Sequence, residues 1–227
     1  MSRDPLWEDI FASRPWGKYP AEEFIRFVAG NFYRAEPRHA VKLMEVGFGT
    51  GSNLWYAARE GFSVYGLEGA PSGCALAERR LDEEVPGWRA HGAELRVGDI
   101  CEPLPYADAS FDAVLDSVAV ACNSFDEARG VYAEMHRVTR PGGLLYVRTP
   151  ATGCWGDGTG EPHGHGAWRC TEGPFAGTGI VRFTSETELP LLLGPWQPVQ
   201  LEQVIRTMHD RTRAVVEWVI VARRDPA

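Results

Sequence analysis

Three glycines with alternate spacing are the residues in this sequence that point most directly to a ligand. The segment EVGFGTGS contains Gly47, Gly49 and Gly51. It separates a predicted strand, Val41–Val46, from a predicted helix, Asn53–Arg59. Glycine permits positive φ and removes side chains that would block a ligand, while a helix N-terminus offers free backbone N–H groups and a positive dipole end. The segment therefore predicts a site for a nucleotide-like ligand at the carboxyl end of a parallel sheet.

An acidic residue follows the next predicted strand. Glu68 ends the strand Ser63–Leu67 and comes 17 residues after Gly51. A carboxylate in this place can accept hydrogen bonds from both hydroxyl groups of a ribose. The same geometry serves NAD, whose usual glycine spacing is G-x-G-x-x-G. The spacing here is G-x-G-x-G, which makes NAD the less favoured ligand.

The segment EVGFGTGS, followed by Glu68 and Asp99, resembles the class I S-adenosylmethionine (SAM)-dependent methyltransferases. The resemblance covers roughly residues 40–150. It implies SAM as cofactor and an α/β fold, a Rossmann-like seven-stranded doubly wound sheet with an antiparallel C-terminal hairpin strand. In that family an Asp at the position of Asp99 receives the adenine amine, and its neighbour, here Ile100, packs on the adenine ring.

The resemblance also assigns a set of cofactor contacts. In related enzymes an N-terminal aromatic residue closes over the cofactor, and Trp16 or Tyr19 could do so here. The carboxyl end of the predicted fourth strand, with Asp116 and Ser117, would face the same crevice. The expected cofactor-binding residues are Glu45, Gly47, Gly49, Gly51, Asn53, Glu68, Gly69, Asp99, Ile100, Asp116, Ser117, Trp16 and Tyr19.

The elements that must position these residues alternate between strand and helix, which implies parallel crossover connections. Further strands are predicted at Glu94–Val97, Phe111–Leu115 and Leu144–Arg148, and further helices at Pro71–Glu84 and Asp126–Val138. In the helix Pro71–Glu84, Ala75, Leu76 and Leu81 are expected to face inward. An amphipathic helix is predicted at Ala21–Phe32, and an antiparallel hairpin at Val199–Met208 and Ala214–Ala222.

We expect a single domain with four parts. Residues 1–40 form an N-terminal arm and helix that cover the cofactor site, with residues 1–20 turn-rich. Residues 41–150 form the SAM-binding core. Residues 151–195 form a lid, or substrate-specificity insertion. Residues 196–227 form the hairpin that completes the sheet.

The glycine-rich part of the lid, residues 151–179, is expected to be a long functional loop. His163 or His165 could act as a general base, because imidazole titrates near neutral pH. A solvated loop without a catalytic role remains open. His163 and His165 with Cys154 and Cys170 match no strong zinc spacing, so no metal is expected.

Composition restricts the partners. The chain has 227 residues and a net charge of -8, which suits one domain and is poorly suited to a nucleic-acid backbone. Five cysteines without a C-x-x-C pair indicate a reducing cytoplasm. The N-terminus does not resemble a signal peptide, and apolar runs stay short of the ~18 residues of a membrane span, so no membrane partner is expected.

These observations predict an enzyme of the EC 2.1.1 class that transfers a methyl group from SAM to an oxygen or nitrogen atom of a small molecule, a metabolite or natural product. It would act as a monomer or homodimer. Three alternatives remain: an NAD-linked oxidoreductase on a Rossmann-like fold, a methyltransferase acting on protein or RNA, and a catalytically silent SAM-binding or scaffolding protein.

Overall fold

The computed structural model describes residues 5–226, so residues 1–4 of the N-terminal arm and residue 227 of the hairpin segment lie outside the described residues. Within this range the strands are β1 (Lys42–Val46), β2 (Ser63–Glu68), β3 (Glu94–Val97), β4 (Phe111–Ser117), β5 (Thr139–Pro150), β6 (Glu161–Gly164), β7 (Ala167–Arg169), β8 (Val181–Arg182), β9 (Gln197–Met208) and β10 (Arg213–Arg223). The helices are α1 (Pro5–Ser13), α2 (Glu22–Phe32), α3 (Ser52–Arg59), α4 (Pro71–Glu84), α5 (Phe125–Val138) and α6 (Leu189–Leu193).

Seven of the strands form one mixed sheet in the order β3-β2-β1-β4-β5-β10-β9. The first five strands are parallel, and β10 is antiparallel to both β5 and β9. The predicted Rossmann-like doubly wound sheet with an antiparallel C-terminal hairpin is therefore confirmed. Because the strand order reverses between β1 and β4, the carboxyl ends of these two strands border the crevice where such sheets bind ligands.

Each face of this sheet is covered by helices. One core cluster contains Phe24, Phe27 and Val28 of α2 together with side chains of α3 and α4, and the other contains residues of α5 and α6. The amphipathic face predicted for α2 is thus confirmed. Burial of apolar side chains on both faces stabilises the sheet by about 25 cal/mol for each Å² removed from water.

The N-terminal arm contains a helix that the turn-rich sequence did not predict. In α1, Ile10 and Phe11 are buried, and with Ala70 they form a small apolar cluster beside the start of α4. The carboxylate of Glu8 accepts hydrogen bonds from the Ser72 backbone and hydroxyl, at the N-terminus of α4. A carboxylate is favoured at that end of a helix by the free N–H groups and the dipole. These contacts fix the arm against the N-terminus of α4.

The predicted inward face of α4 was partly wrong. Leu81 is buried as expected, but Ala75 is exposed and Leu76 only partly buried. Besides Gly73, the buried positions are Cys74, Ala77 and Leu81, which follow helical spacing once Cys74 is counted as apolar.

The lid contains regular structure that its weak periodicity did not reveal. Strands β6, β7 and β8 form a separate three-stranded antiparallel sheet. Behind it, Val181 and Phe183 pack with Cys154, Cys170 and two valines of β10. Strands of two to four residues are too short to show a period of two in the sequence.

Candidate active site

A cavity of about 490 Å³ opens at the carboxyl ends of the central parallel strands. Loops after β1, β2, β3 and β4 form one part of its wall, and β5, β10 and the lid form another. Eleven of the thirteen expected cofactor-binding residues line it: Glu45, Gly47, Gly49, Asn53, Glu68, Gly69, Asp99, Ile100, Ser117, Trp16 and Tyr19. The structure therefore brings most of the predicted residues to one place.

The glycine loop after β1 has the backbone that its sequence predicted. Gly47, Gly49 and Gly51 have φ of 60°, 56° and 76°. A Cβ on Gly47 would overlap the Cβ of Ala119, and one on Gly49 would lie 3.2 Å from the Phe11 ring. The loop therefore requires glycine for both its conformation and its close neighbours.

Gly51 does not line the cavity. A Cβ there would lie 2.7 Å from the Cβ of Ala77, so this glycine lets the start of α3 approach α4. It contributes to the site by fixing the helix that follows the loop.

Glu68 is 5% exposed at the end of β2, and backbone groups hold both of its carboxylate oxygens. Oε2 accepts a hydrogen bond from Gly49 N at 2.7 Å, and Oε1 accepts one from Ala70 N at 2.8 Å. Burial raises the pKa of this carboxyl group, and the backbone donors oppose that change. Since a carboxylate offers about four lone-pair sites, each oxygen can still accept a ribose hydroxyl.

Glu45, in β1, has one oxygen satisfied and one without a partner. Asn53 Nδ2 donates to Oε1 at 2.7 Å, whereas Oε2 is buried and unpaired within the described part of the chain. Burial raises the pKa of Glu45 to about 8, and the charges of Asp116 and Glu68 add to the effect. An unpaired buried carboxyl group on a cavity wall fits a cationic group such as an ammonium.

The residues expected to hold adenine, Asp99 and Ile100, and the arm residues Trp16 and Tyr19 line other parts of the cavity. Asp99 Oδ1 accepts a hydrogen bond from Cys101 N at 2.9 Å, which holds the turn after β3. Trp16 packs edge-on against Phe11 at 5.5 Å between ring centroids. Tyr19 is 72% exposed and packs edge-on against Trp55 at 5.6 Å. Trp16 thus lies closer to the glycine loop through Phe11, while Tyr19 forms the rim.

Asp116 lies beneath the cavity wall and does not line it. Oδ1 accepts hydrogen bonds from Ala119 N and Val120 N, and Oδ2 accepts one from Tyr132 Oη at 2.7 Å. Burial raises the pKa of Asp116 to about 6. Its bonds shape the turn after β4, where Val118 lines the cavity with a φ of 69°. Positive φ is strained for a β-branched residue, and such strain is concentrated at functional sites.

Neither lid histidine lines the cavity. The His165 ring stacks on Phe125 with 4.2 Å between centroids, and its Nδ1 is 3.8 Å from a carboxylate oxygen of Glu188. His163 Nε2 is 3.9 Å from a carboxylate oxygen of Glu161. The general-base role of these histidines remains a prediction without support from this geometry.

One lid residue crosses to the turn after β4. Arg182, in β8, is 1% exposed and donates from Nη1 to Asn123 O at 3.1 Å and from Nη2 to Val120 O at 3.3 Å. Its guanidinium also lies 5.7 Å from the centre of the Phe125 ring. Burial lowers the pKa of Arg182, and the negative charge of Asp116 opposes this change. The lid is therefore attached to the core through a buried charge.

Sequence reasoning missed an ion pair in the cavity wall. Arg148 in β5 donates from Nη2 and Nε to Glu217 Oε2 in β10, at 2.5 and 3.1 Å. The two residues are 69 positions apart and belong to no local motif. Phe175 and Thr178 of the lid line the same part of the cavity. Only the predicted pairing of the C-terminal hairpin with the sheet could have suggested that Arg148 and Glu217 lie close together.

Residues 5–226 contain no group of three or more His, Cys, Asp or Glu side chains that could hold a metal ion. No helix in this range is both long and apolar enough to cross a membrane.

Comparisons with known proteins agree on one domain type. Residues 44–147 match the model of the methyltransferase domain. The chain is 32% identical over 107 residues to demethylmenaquinone methyltransferase of Tropheryma whipplei (strain Twist), a match that covers 47% of this chain and 40% of that protein. The chain thus spans less than half the length of this curated relative.

Solved structures share the fold at low sequence identity. A protein solved in work on the conversion of a disulfide bond into a thioacetal group during echinomycin biosynthesis gives a TM-score of 0.70 at 18% identity, covering 97% of this chain and 91% of that one. The 1,6-didemethyltoxoflavin-N1-methyltransferase of Burkholderia thailandensis, solved with 1,6-didemethyltoxoflavin and S-adenosylhomocysteine (SAH) bound, gives 0.58 at 20% identity, covering 89% and 78%.

Proposed function

We propose that this chain is a class I SAM-dependent methyltransferase and that it transfers a methyl group from SAM to an oxygen or nitrogen atom of a small molecule. The observation that carries the proposal is the cavity itself. It joins the glycine loop and Glu68 to a second region walled by the lid, Arg148 and Glu217. One cavity can therefore hold a cofactor and an acceptor side by side.

The residues of the first region fit SAM. Glu68 would accept the ribose hydroxyls, and Asp99 with Ile100 would hold the adenine. The glycine loop leaves space where side chains would otherwise intrude, and the unpaired Oε2 of Glu45 suits the methionine ammonium. SAM, when bound, supplies a methyl group on a positively charged sulfur.

The protein's own contribution is then binding, orientation and exclusion of water. The arm, through Trp16 and Phe11, covers the glycine loop, and the lid covers the other side through Phe175. An amine acceptor can lose its proton to solvent, whereas a hydroxyl acceptor more often needs a base. The preference for a small molecule is supported by a cavity bounded by the sheet, the arm and the lid, and by proteins similar to this chain that are named for small-molecule substrates.

Isothermal calorimetry tests the cofactor. We expect micromolar binding of SAM and SAH to the full chain, and no binding of NAD. Binding of NAD in place of SAM and SAH would favour the oxidoreductase alternative.

A labelling experiment tests the reaction. The protein is incubated with methyl-labelled SAM and a bacterial extract, and the extract is then divided by dialysis into small molecules and macromolecules. We expect a labelled small molecule other than SAM in the small-molecule fraction, which is absent when the protein is omitted. Label confined to the macromolecules would support the protein or RNA alternative, and no transfer despite SAM binding would support the catalytically silent one.

A further inference from the structure

The wall formed by β5 and β10 lies well away from the residues that fit the cofactor ribose. Glu68 is on β2 and Arg148 on β5, and β1 and β4 lie between these strands. Since neighbouring strands are about 4.8 Å apart, three steps across the sheet separate these positions by roughly 14 Å. Glu217 is one strand farther along. Arg148 and Glu217 therefore belong to the part of the cavity left for the methyl acceptor.

Glu217 offers an acceptor atom there. The side chain is 6% exposed and lines the cavity. Both donors from Arg148 go to Oε2, and in the described part of the chain Oε1 accepts no hydrogen bond. A carboxylate oxygen that faces a cavity is stabilised by a hydrogen-bond donor. The missing partner can come from a ligand in the cavity.

The charges around the cavity favour a ligand that donates. Acidic side chains line it at Glu68, Asp99 and Glu217, and at Glu45 once that group has released its proton, while Arg148 is the one guanidinium among the lining residues and is already paired. An anionic acceptor would meet this excess of negative charge. A neutral or cationic group with an N–H or O–H would not be repelled by these charges.

The lid adds a wall for an apolar group. Phe175 lines the cavity and packs edge-on against the buried Phe183, with 6.0 Å between ring centroids. A ring held in this way presents a fixed apolar surface, and aromatic rings pair favourably in offset or edge-on arrangements. A flat apolar ligand would gain contact with Phe175 while its polar group reaches β10.

We propose that Glu217 determines acceptor specificity, and that the acceptor is a small aromatic molecule whose amine or hydroxyl group donates a hydrogen bond to Glu217 Oε1. Arg148 acts through Glu217, as a positioning residue that fixes its carboxylate. This inference rests on the proposed function, because it assigns the acceptor part of the same cavity.

Three probes with one ring and different polar groups test the proposal: benzylamine, benzyl alcohol and benzoate. Each is titrated by calorimetry into the full chain saturated with SAH. We expect benzylamine and benzyl alcohol to bind at least tenfold more tightly than benzoate. Glu217→Gln should weaken benzylamine at least tenfold and strengthen benzoate, because the Arg148 guanidinium loses its carboxylate partner. SAH affinity should change less than twofold.

Glu202→Gln is the matched control, since Glu202 lies opposite Val219 on the exposed strand β9 and does not line the cavity. It should leave all probe affinities unchanged. Tighter binding of benzoate by the unaltered protein, no binding of any probe, or equal effects of Glu217→Gln and Glu202→Gln would overturn the inference while SAH binding still supports the cofactor. Failure of the unaltered protein to bind SAH would overturn the proposed function together with the inference.

Discussion

The cavity has two halves, named for the groups that we propose they hold: a cofactor half at the glycine loop and Glu68, and an acceptor half at Arg148 and Glu217. The two halves are built from different kinds of contact. In the cofactor half, the Glu68 carboxylate is held by backbone N–H groups of Gly49 and Ala70, 19 and 2 positions away. In the acceptor half, Arg148 and Glu217 hold each other through side chains 69 positions apart. Backbone donors follow from the path of the chain, whereas a side-chain pair depends on two particular residues.

The difference suggests how each half can change. The loops of the cofactor half keep their donors under most side-chain substitutions, so only glycines and the acids are sensitive. The acceptor half and its lid depend on a few charged side chains, and one substitution can alter the ligand that fits. The four predictions below test this contrast, from the largest expected effect to the smallest.

Arg182→Met should have the largest effect, on stability. It removes the buried charge that lies near Asp116 and leaves Asn123 O without its donor, while Val120 O keeps its bonds from Asn123. Hydrogen bonds from a charged group contribute about 1.5–3 kcal/mol each, and an unsatisfied buried carbonyl costs about 1–3 kcal/mol. We expect a decrease of about 3 kcal/mol in the free energy of unfolding, measured by urea denaturation. Arg169→Met on the exposed face of β7 is the control and should change it by less than about 0.5 kcal/mol. Equal effects would show that the lid does not depend on Arg182.

Gly47→Ala should abolish most cofactor binding. The added Cβ overlaps Ala119, and the backbone has a φ that alanine adopts poorly. We expect SAH affinity to fall about 100-fold, which corresponds to about 2.7 kcal/mol. Gly17→Ala is the control, because Gly17 lines the same cavity but a Cβ there would meet no atom within 4 Å. A similar loss in both variants would show that the glycine loop is not the sensitive element.

Glu68→Gln should weaken SAH binding by about 10- to 100-fold. Hydrogen bonds to a charged group contribute about 1.5–3 kcal/mol each, and the amide loses acceptor capacity for the ribose hydroxyls. Calorimetry with SAH measures the effect. Glu94→Gln, at the partly buried start of β3 and away from the cavity lining, should leave the affinity unchanged. Unchanged SAH affinity in Glu68→Gln would remove the ribose assignment.

Glu45 should release a proton when the cofactor product binds. Its folded pKa of about 8 lies above the ordinary 4.5, so the free protein keeps this proton at pH 7. The stability that Glu45 contributes is complete below about pH 4.5 and is lost as the pH rises through 8. An ammonium beside Glu45 would lower the pKa.

Calorimetry of SAH binding at pH 7, in buffers with different ionisation enthalpies, counts the protons released. We expect up to about one proton for the unaltered protein and a smaller number for Glu45→Gln. The same count in both would show that the proton comes from another group.

The fold and the cofactor half could be predicted because their signals are local. Alternating apolar strands and helices predict the parallel sheet, and the glycine loop precedes Glu68 and Asp99 at the ends of successive strands. Among the thirteen residues expected to bind the cofactor, Gly51 and Asp116 are the two that do not line the cavity. Gly51 packs against Ala77, and Asp116 accepts hydrogen bonds from the turn after β4.

The rest could not be predicted because its signals are distant or short. The contact of Arg148 with Glu217 depends on β5 and β10 pairing across the sheet. The strands β6, β7 and β8 are too short for a period, and the contacts that support them come from β10 and from Asn123. The histidines drew attention by their chemistry alone, which does not fix where a loop places them.

The buried charge of Arg182 limits how this segment can be exchanged between proteins. A graft of residues 151–195 onto the core of a different protein with this fold would carry a cation that needs Val120 O, Asn123 O and the charge of Asp116 in the recipient. A recipient without that turn would have to bury the guanidinium unpaired. The portable unit for engineering is therefore larger than the lid, and it includes the end of β4 and the turn that follows it.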